Sequence, residues 1–417
     1  MHKICRKYKD IVYDKQAWSG CMRRIAALTI FIVTMLAMAP EEKVSAGELS
    51  ESDVRAMGAV LMDAATGRVL WGKNERARLA MASTTKIMTA IVALENGDPE
   101  SRVVASKRAA MAPRVHMGLS VGEEFRLGDL MLALMLESSN DAAVAIAEHI
   151  AGNVEDFCAL MTWKAHSIGA VDTVFETPSG LDSDNHYSTA YDMALITRYA
   201  LSNPDFVKLI NTRIATFRSS QRTYSFVNKN RLLNEFDGAN GVKTGFTGKA
   251  GQCFVGASRR GDMQLISVVL ASGWGDAGRE QKWRDTKKIL THGFDNYRYE
   301  QIVHESQEAG SIAIERSKTL HVDTALSKGL NLPLNRQERD SIVIDLNMPR
   351  VMRAPVEAGQ EVGIAKVFVM GEMVDEIPVV ASAGATRHDL KTSLEKVLDT
   401  WLEMGTNEEV NVVLPEF

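Results

Sequence analysis

LAMASTTKIMTAIVALENG, residues 79–97, carries a serine and a lysine three positions apart at the head of an apolar-periodic segment. Ile87, Met88, Ile91, Val92 and Leu94 recur at helical spacing and Asn96-Gly97 supplies a stop, which predicts a helix from about Thr84 to Glu95. Ser83 is then its N-cap or first-turn residue, with Lys86 one turn on and facing the same way. Two readings compete: a nucleophile with its base, or a capped surface helix bearing a solvated charge. The spacing alone does not separate them, because S-x-x-K recurs as Ser393-Leu-Glu-Lys396. The rest of the chain has to decide.

A serine attacks an amide carbonyl only if a neighbour takes its proton, and a lysine does so only when neutral. Burial or a second cation must therefore pull the lysine pKa down. Lys243, in GVKTGFTG (241–248), is a candidate second cation on a strand whose Gly245 lets another backbone approach. Further back, the apolar run LMLALMLE (130–137) breaks at Ser138-Ser139-Asn140 before DAAVAIAEHIAG resumes the helix. That break offers a hydroxyl to relay a proton and an amide to hold a carbonyl. Lys-Thr-Gly is only a tripeptide and S-x-N recurs as Ser183-Asp-Asn185, so each piece is weak. In order, S-x-x-K at a helix start, S-x-N at a helix break 55 residues on, and K-T-G on a strand 105 beyond that form one set. The second copies lack this order.

Around the set, MGAVLMDAATGRVLWGKN (57–74) reads as a hairpin turned at Asp63–Gly67. Strand patterns over 241–247, 252–258 and 263–271 form an antiparallel meander, and helix patterns resume over 283–294. Helices flanking an antiparallel sheet give an α/β (α+β) domain over 47–297. From 298 to 387 short strand-like runs such as SIAIER and SIVIDLN predict a small all-β domain with no catalytic constellation. Over 388–404, Leu390, Leu394, Val397, Leu398, Trp401 and Leu402 make one apolar stripe opposite Lys391, Glu395, Lys396, Asp399 and Glu403. This amphipathic helix is read as a membrane-attaching one in preference to a helix packed on its own domain.

The ends and the bulk narrow the class. Arg23-Arg24, the apolar run from Ile25 to Ala39 and VSA at 44–46 follow the order of an export signal, expected to be cleaved near Ala46 rather than retained as an anchor. Met22 is itself a conventional start. Cys158 and Cys253 remain beyond that segment and read as small buried side chains rather than a bridge. No metal-ligand spacing joins them to histidines, so no metal and no cofactor is expected. A formal charge of -5, mixed in sign, excludes a nucleic-acid stripe. His186 and Asp192, in NHYSTAYDMA, read as loop and helix-start structure with Ser188 or Thr189 as the cap, and His116 has no partner motif.

With MDAATGRVLWGKN, ASTTKIMTA, ESSNDAAVAIAEH, TPSGLDSDNHYSTAYDMA and NGVKTGFTGKAGQCFVGAS in this order, the chain from about 55 to 390 resembles the low-molecular-mass penicillin-binding proteins, serine-type D-alanyl-D-alanine carboxypeptidases. The resemblance implies a penicillin-recognising, β-lactamase-like domain followed by a β-rich domain and, in many members, an amphipathic membrane-attaching helix. It implies Ser83 as the acylated nucleophile, Lys86 as its base and Ser138 as the proton relay. Asn140, Lys243, Thr244 and Gly245 would hold the substrate, with Lys243 also tuning Lys86. The backbone N–H groups of Ser83 and Phe246 would form the oxyanion hole, and the substrate would add to the edge of 243–247. The implied partners are peptidoglycan stem peptides ending in D-Ala-D-Ala, β-lactams as covalent inhibitors, and a membrane surface at the tail, at an extracytoplasmic location. The nearest rivals are a β-lactamase, whose E-x-x-L-N is not found between 141 and 242, a D,D-endopeptidase of the same fold, and a silent wall-binding module, which would have lost one of the three motifs.

Overall fold

Alternating and continuous apolar runs put five strands into one antiparallel sheet. β1 (Gly58–Asp63) and β2 (Val69–Lys73) form the expected hairpin. Its turn is held by Asp63, whose carboxylate accepts the Thr66 N–H and hydroxyl, and by Gly67 at φ 77°. β3 (Ala239–Thr247), β4 (Gly251–Arg260) and β5 (Met263–Leu270) form the meander. The strand order is β2-β1-β5-β4-β3, so the Lys-Thr-Gly strand is an edge. β1 is buried along its whole length and β4 from Gly251 to Ser258, as in a sheet covered on both faces. The structure is a computed structural model and describes residues 48–387 and 390–406. The expected export segment lies outside them.

One face of the sheet is covered by α1 (Lys86–Asn96), α2 (Asn140–Ala151), α3 (Val154–Ser167), α4 (Ala190–Leu201) and α5 (Pro204–Asn211), whose core includes Val60, Met62, Ile87, Ile91, Ile146 and Phe157. The other face takes α6 (Gly275–Asn296), which packs Trp283, Ile289, Leu290 and Phe294 onto Leu61, Leu265 and Val269. Cys158 and Cys253 are free and buried. Ridges of apolar residues spaced three and four apart on these helices account for the layering.

The β-rich region follows directly. β6 (Arg298–Val303) pairs with β9 (Leu330–Leu334), and β7 (Glu308–Glu315), β8 (His321–Leu326), β10 (Val343–Asn347), β11 (Val351–Arg353), β12 (Glu361–Val369) and β13 (Glu372–Ala381) form a six-stranded sheet ordered β10-β12-β13-β8-β7-β11. It has its own core of Val322, Val367, Ile377 and Val379. Arg68 ties the β1–β2 hairpin to it through Glu338 (2.5 Å) and the Pro333 carbonyl, and Tyr299 donates to Asp63 at 2.8 Å. Helix α7 (Leu390–Thr406) follows, with Leu394, Val397, Leu398, Trp401 and Leu402 all exposed. Among the described residues no helix is long and apolar enough to cross a membrane.

Candidate active site

Ser83 does not cap α1. It lies in a 3-10 turn, Ala82–Thr85, that feeds the helix, and α1 begins after Thr85 with no side-chain cap. The hydroxyl is therefore available, and it lies 3.0 Å from Lys86 Nζ. The turn is wedged between two glycines. A Cβ on Gly180 (φ 84°) would sit 1.9 Å from the Ala82 carbonyl oxygen, and one on Gly245 would sit 3.0 Å from the Ser83 nitrogen. Only a residue without a side chain lets the 177–181 loop and strand β3 close on Ser83 from both sides.

Lys86 is fully buried, and its amine has three neighbours: Ser83 Oγ at 3.0 Å, Asn140 Oδ1 at 2.8 Å and the Ser179 carbonyl at 2.5 Å. Burial holds its pKa well below the ordinary amine range, and the charge of Lys243 lowers it further against the opposing pull of Asp141. A neutral amine has two N–H groups and one lone pair. In a neutral amine whose two N–H groups go to Asn140 Oδ1 and the Ser179 carbonyl, the remaining lone pair faces the Ser83 hydroxyl. Lys243 is 2 % exposed and donates to the Thr244 carbonyl at 3.0 Å. Burial, then the charges of Lys229 and Lys282, bring its pKa to about 7.

The structure thus brings together Ser83, Lys86 and Asn140 by direct hydrogen bonds and Lys243 by its charge. Thr244 is half-buried and Phe246 exposed on the free edge of β3. Ser138 takes the left-handed conformation (φ 70°, ψ 35°) at the end of a π-helical turn, Ala133–Glu137, which creates the break before α2. Its hydroxyl is not among the partners of either lysine amine here, so the relay expected of it is not a formed hydrogen-bond chain.

Several contributors carried no signal in the sequence. The Ser179 carbonyl is a backbone group inside TPSGL, and Thr89 Oγ1 fixes the same loop through the Pro178 carbonyl at 2.6 Å. Asp141 accepts the N–H groups of Met117, Gly118 and Leu119, while Asn140 donates to the Pro113 carbonyl, so one loop orients both residues. Lys229 bonds Glu137 at 2.5 Å and braces the turn before Ser138. Thr189 caps α4 as expected, accepting from Asp192 N, and Asp192 accepts from Thr173 and the Asp172 N–H. His186 bonds Thr85 and Glu176, and the second S-x-N, Ser183 and Asn185, binds Glu176 in the same loop. His116 is exposed. Among the described residues no cluster could hold a metal.

Residues 42–273 match the family described as D-alanyl-D-alanine carboxypeptidase, and residues 297–386 match the C-terminal domain of penicillin-binding protein 5. The D-alanyl-D-alanine carboxypeptidase DacF of Bacillus subtilis (strain 168) is 30% identical over 389 residues, 91% of this chain and 99% of that one. Among solved structures, the carboxypeptidase DacD of Francisella tularensis aligns with a TM-score of 0.68 and 26% identity over 85% of this chain and 98% of its own. Penicillin-binding protein 5 of Haemophilus influenzae aligns equally well, at 0.68 and 25% identity over 82% and 100%. With its serine, buried lysine and strand-borne lysine set in a fold shared over nearly the whole length of these proteins, the chain belongs to the D-alanyl-D-alanine carboxypeptidase family of serine peptidases.

Proposed function

We propose that the protein removes the terminal D-alanine from peptidoglycan stem peptides ending in D-Ala-D-Ala through an acyl-enzyme on Ser83. The single observation that carries this is the Lys86 amine, buried, with no carboxylate among its hydrogen-bond partners in the described residues, and 3.0 Å from the Ser83 hydroxyl. The terminal carboxylate binds Lys243 and the Thr244 hydroxyl. Bringing an anion to Lys243 raises its pKa from about 7, so the bound state has the cation that keeps Lys86 neutral.

The substrate adds antiparallel to the free edge of β3, its carboxylate at 243–244 and its scissile carbonyl at the N–H groups of Ser83 and Phe246. Lys86 takes the Ser83 proton as Oγ attacks. Collapse of the tetrahedral adduct breaks the C–N bond, and the proton passes to the leaving amine of D-alanine by way of Ser138, whose hydroxyl turns inward once substrate fills the cleft. Asn140 Nδ2, now on Pro113, or its Oδ1 holds the peptide amide. Water then enters and hydrolyses the ester with Lys86 again as base. A β-lactam follows the same route as far as the acyl-enzyme, with its amine leaving group tethered in place.

Residues 1–46 act as an export signal cleaved near Ala46, which leaves a catalytic domain over 47–297, a β-rich domain over 298–387 and the tail helix. The exposed apolar stripe of α7 attaches the enzyme to the outer face of the cell membrane, where wall precursors are trimmed. Release of D-alanine from diacetyl-Lys-D-Ala-D-Ala, measured beside Ser83→Ala, tests the reading. Release by the wild type and none by the variant is expected. Equal release by both refutes it.

A further inference from the structure

The turn that carries Ser83 and the loop that carries Ser179 are bridged by the buried ring of His186. His186 is 3 % exposed, and its Nδ1 accepts the N–H of Glu176 at 3.0 Å. An N–H donor at Nδ1 fixes the tautomer: the ring proton is on Nε2, which donates to Thr85 Oγ1 at 2.8 Å. Thr85 ends the turn that carries Ser83 and directly precedes Lys86. Glu176 opens the loop that carries Ser179, whose carbonyl takes a Lys86 N–H, and Gly180, which closes on Ala82. A second tie comes from α1, where the Thr89 hydroxyl donates to the Pro178 carbonyl, and within the loop Thr177 Oγ1 accepts the Gly180 N–H. The imidazole packs edge-on against Phe175, 5.9 Å between ring centres.

We infer that His186 is a positioning residue for acylation, a two-ended clamp that sets the Ser179 carbonyl against Lys86 and so aims the lysine lone pair at Ser83. The inference rests on the acyl-enzyme reading above. A clamp of this kind needs one donor and one acceptor at fixed separation on a rigid ring, and only neutral imidazole supplies both. Burial brings the His186 pKa to about 4 against the opposing charges of Glu176 and Asp182, which keeps the acceptor at Nδ1 through the neutral range. The ring hydrogen-bonds Thr85 and the Glu176 N–H, not the Ser83 hydroxyl, so it acts through the turn and the loop and not on the substrate.

The test is stopped-flow acylation by a fluorescent penicillin, resolving the dissociation constant of the first complex from the first-order acylation rate, in the full chain and in His186→Ala, His186→Asn and His186→Gln. Asn retains an acceptor near Nδ1 and Gln a donor near Nε2. The Ala variant is expected to acylate at least tenfold more slowly per titrated site with its dissociation constant within twofold of wild type, and Asn and Gln to fall between. A residue that only supports the fold would lower the number of titratable sites and the Tm but leave the rate at each site unchanged, and that result overturns the inference. Should the Ala variant not fold, wild-type rates in both Asn and Gln variants overturn it equally. Failure of the wild type to acylate at Ser83 would instead refute the proposed function, and mass spectrometry of the labelled peptide distinguishes the two failures.

Discussion

Asn140→Asp is the sharpest probe of the buried base, because it changes charge with almost no change of shape. Asn140 Oδ1 lies 2.8 Å from Lys86 Nζ in a site where both side chains are buried. Opposite unit charges at that separation attract by roughly 6 kcal/mol at an effective dielectric of ~20. Allowing about half of that for desolvating the new carboxylate and for its repulsion from the Pro113 carbonyl leaves roughly 3 kcal/mol in favour of the ammonium, about a hundredfold in its protonation equilibrium. The sign follows from the mechanism. Wild-type Lys86 is held neutral by burial and by Lys243, so acylation is lost as pH falls through its depressed pKa, and a carboxylate beside it moves that loss to higher pH. The expected result is a rising limb of the pH–rate profile displaced upward by roughly 2 pH units, so that at a pH on that limb the variant acylates penicillin about a hundredfold more slowly than wild type. Asn140→Ser, which removes the acceptor without adding charge, should lower the rate and leave the limb in place. An Asn140→Asp enzyme with wild-type rate and an unmoved limb would show that Lys86 does not act as a neutral base.

Three further outcomes follow from the same geometry. Lys243→Met should raise the Tm at pH 7 while depressing acylation: its amine titrates at about 7 when folded and near the ordinary 10.5 when unfolded, so the wild type is penalised below 10.5 and most at and below 7, and the gain should shrink between pH 7 and pH 10. Gly180→Ala places a Cβ 1.9 Å from the Ala82 carbonyl oxygen at φ 84°, so beyond the roughly 1–2 kcal/mol of left-handed backbone strain the loop must move off the nucleophile turn. Its Tm should drop by several degrees and its acylation rate by more than tenfold, and a wild-type rate would mean that the loop does not govern the site. Ending the chain at residue 387 should leave D-alanine release intact and abolish co-sedimentation with anionic lipid vesicles, whereas vesicle binding that survives removal of α7 would rule out attachment through Trp401 and its neighbours.

What the sequence disclosed of this site, and what it hid, divides by the kind of group involved. Ser83, Lys86, Asn140 and Lys243 were legible because side-chain chemistry makes demands that spacing can be checked against: a nucleophile needs a base one helical turn away, and a buried base needs a cation. The strands over 241–247, 252–258 and 263–271 were legible because alternation is local. Their order was not. Placing β3 at the edge requires the β1–β2 hairpin to pair with β5, some 200 residues away, and no local pattern encodes that pairing. The same limit hides the Ser179 carbonyl, since every residue has one and only the fold selects which meets an amine. His186 marks the boundary between the two cases. Its type was conspicuous, and reading it as loop structure agrees with its hydrogen bonds to Thr85 and Glu176. Yet those bonds join the segments on either side of the catalytic amine, so a structural role and a catalytic consequence coincide in one ring. The ordered motifs mark the groups proposed to react, but the role proposed for the amine, a directed base rather than a buried charge, rests on two oxygens, one from α2 and one from the 177–181 loop, fixed within reach of its N–H groups.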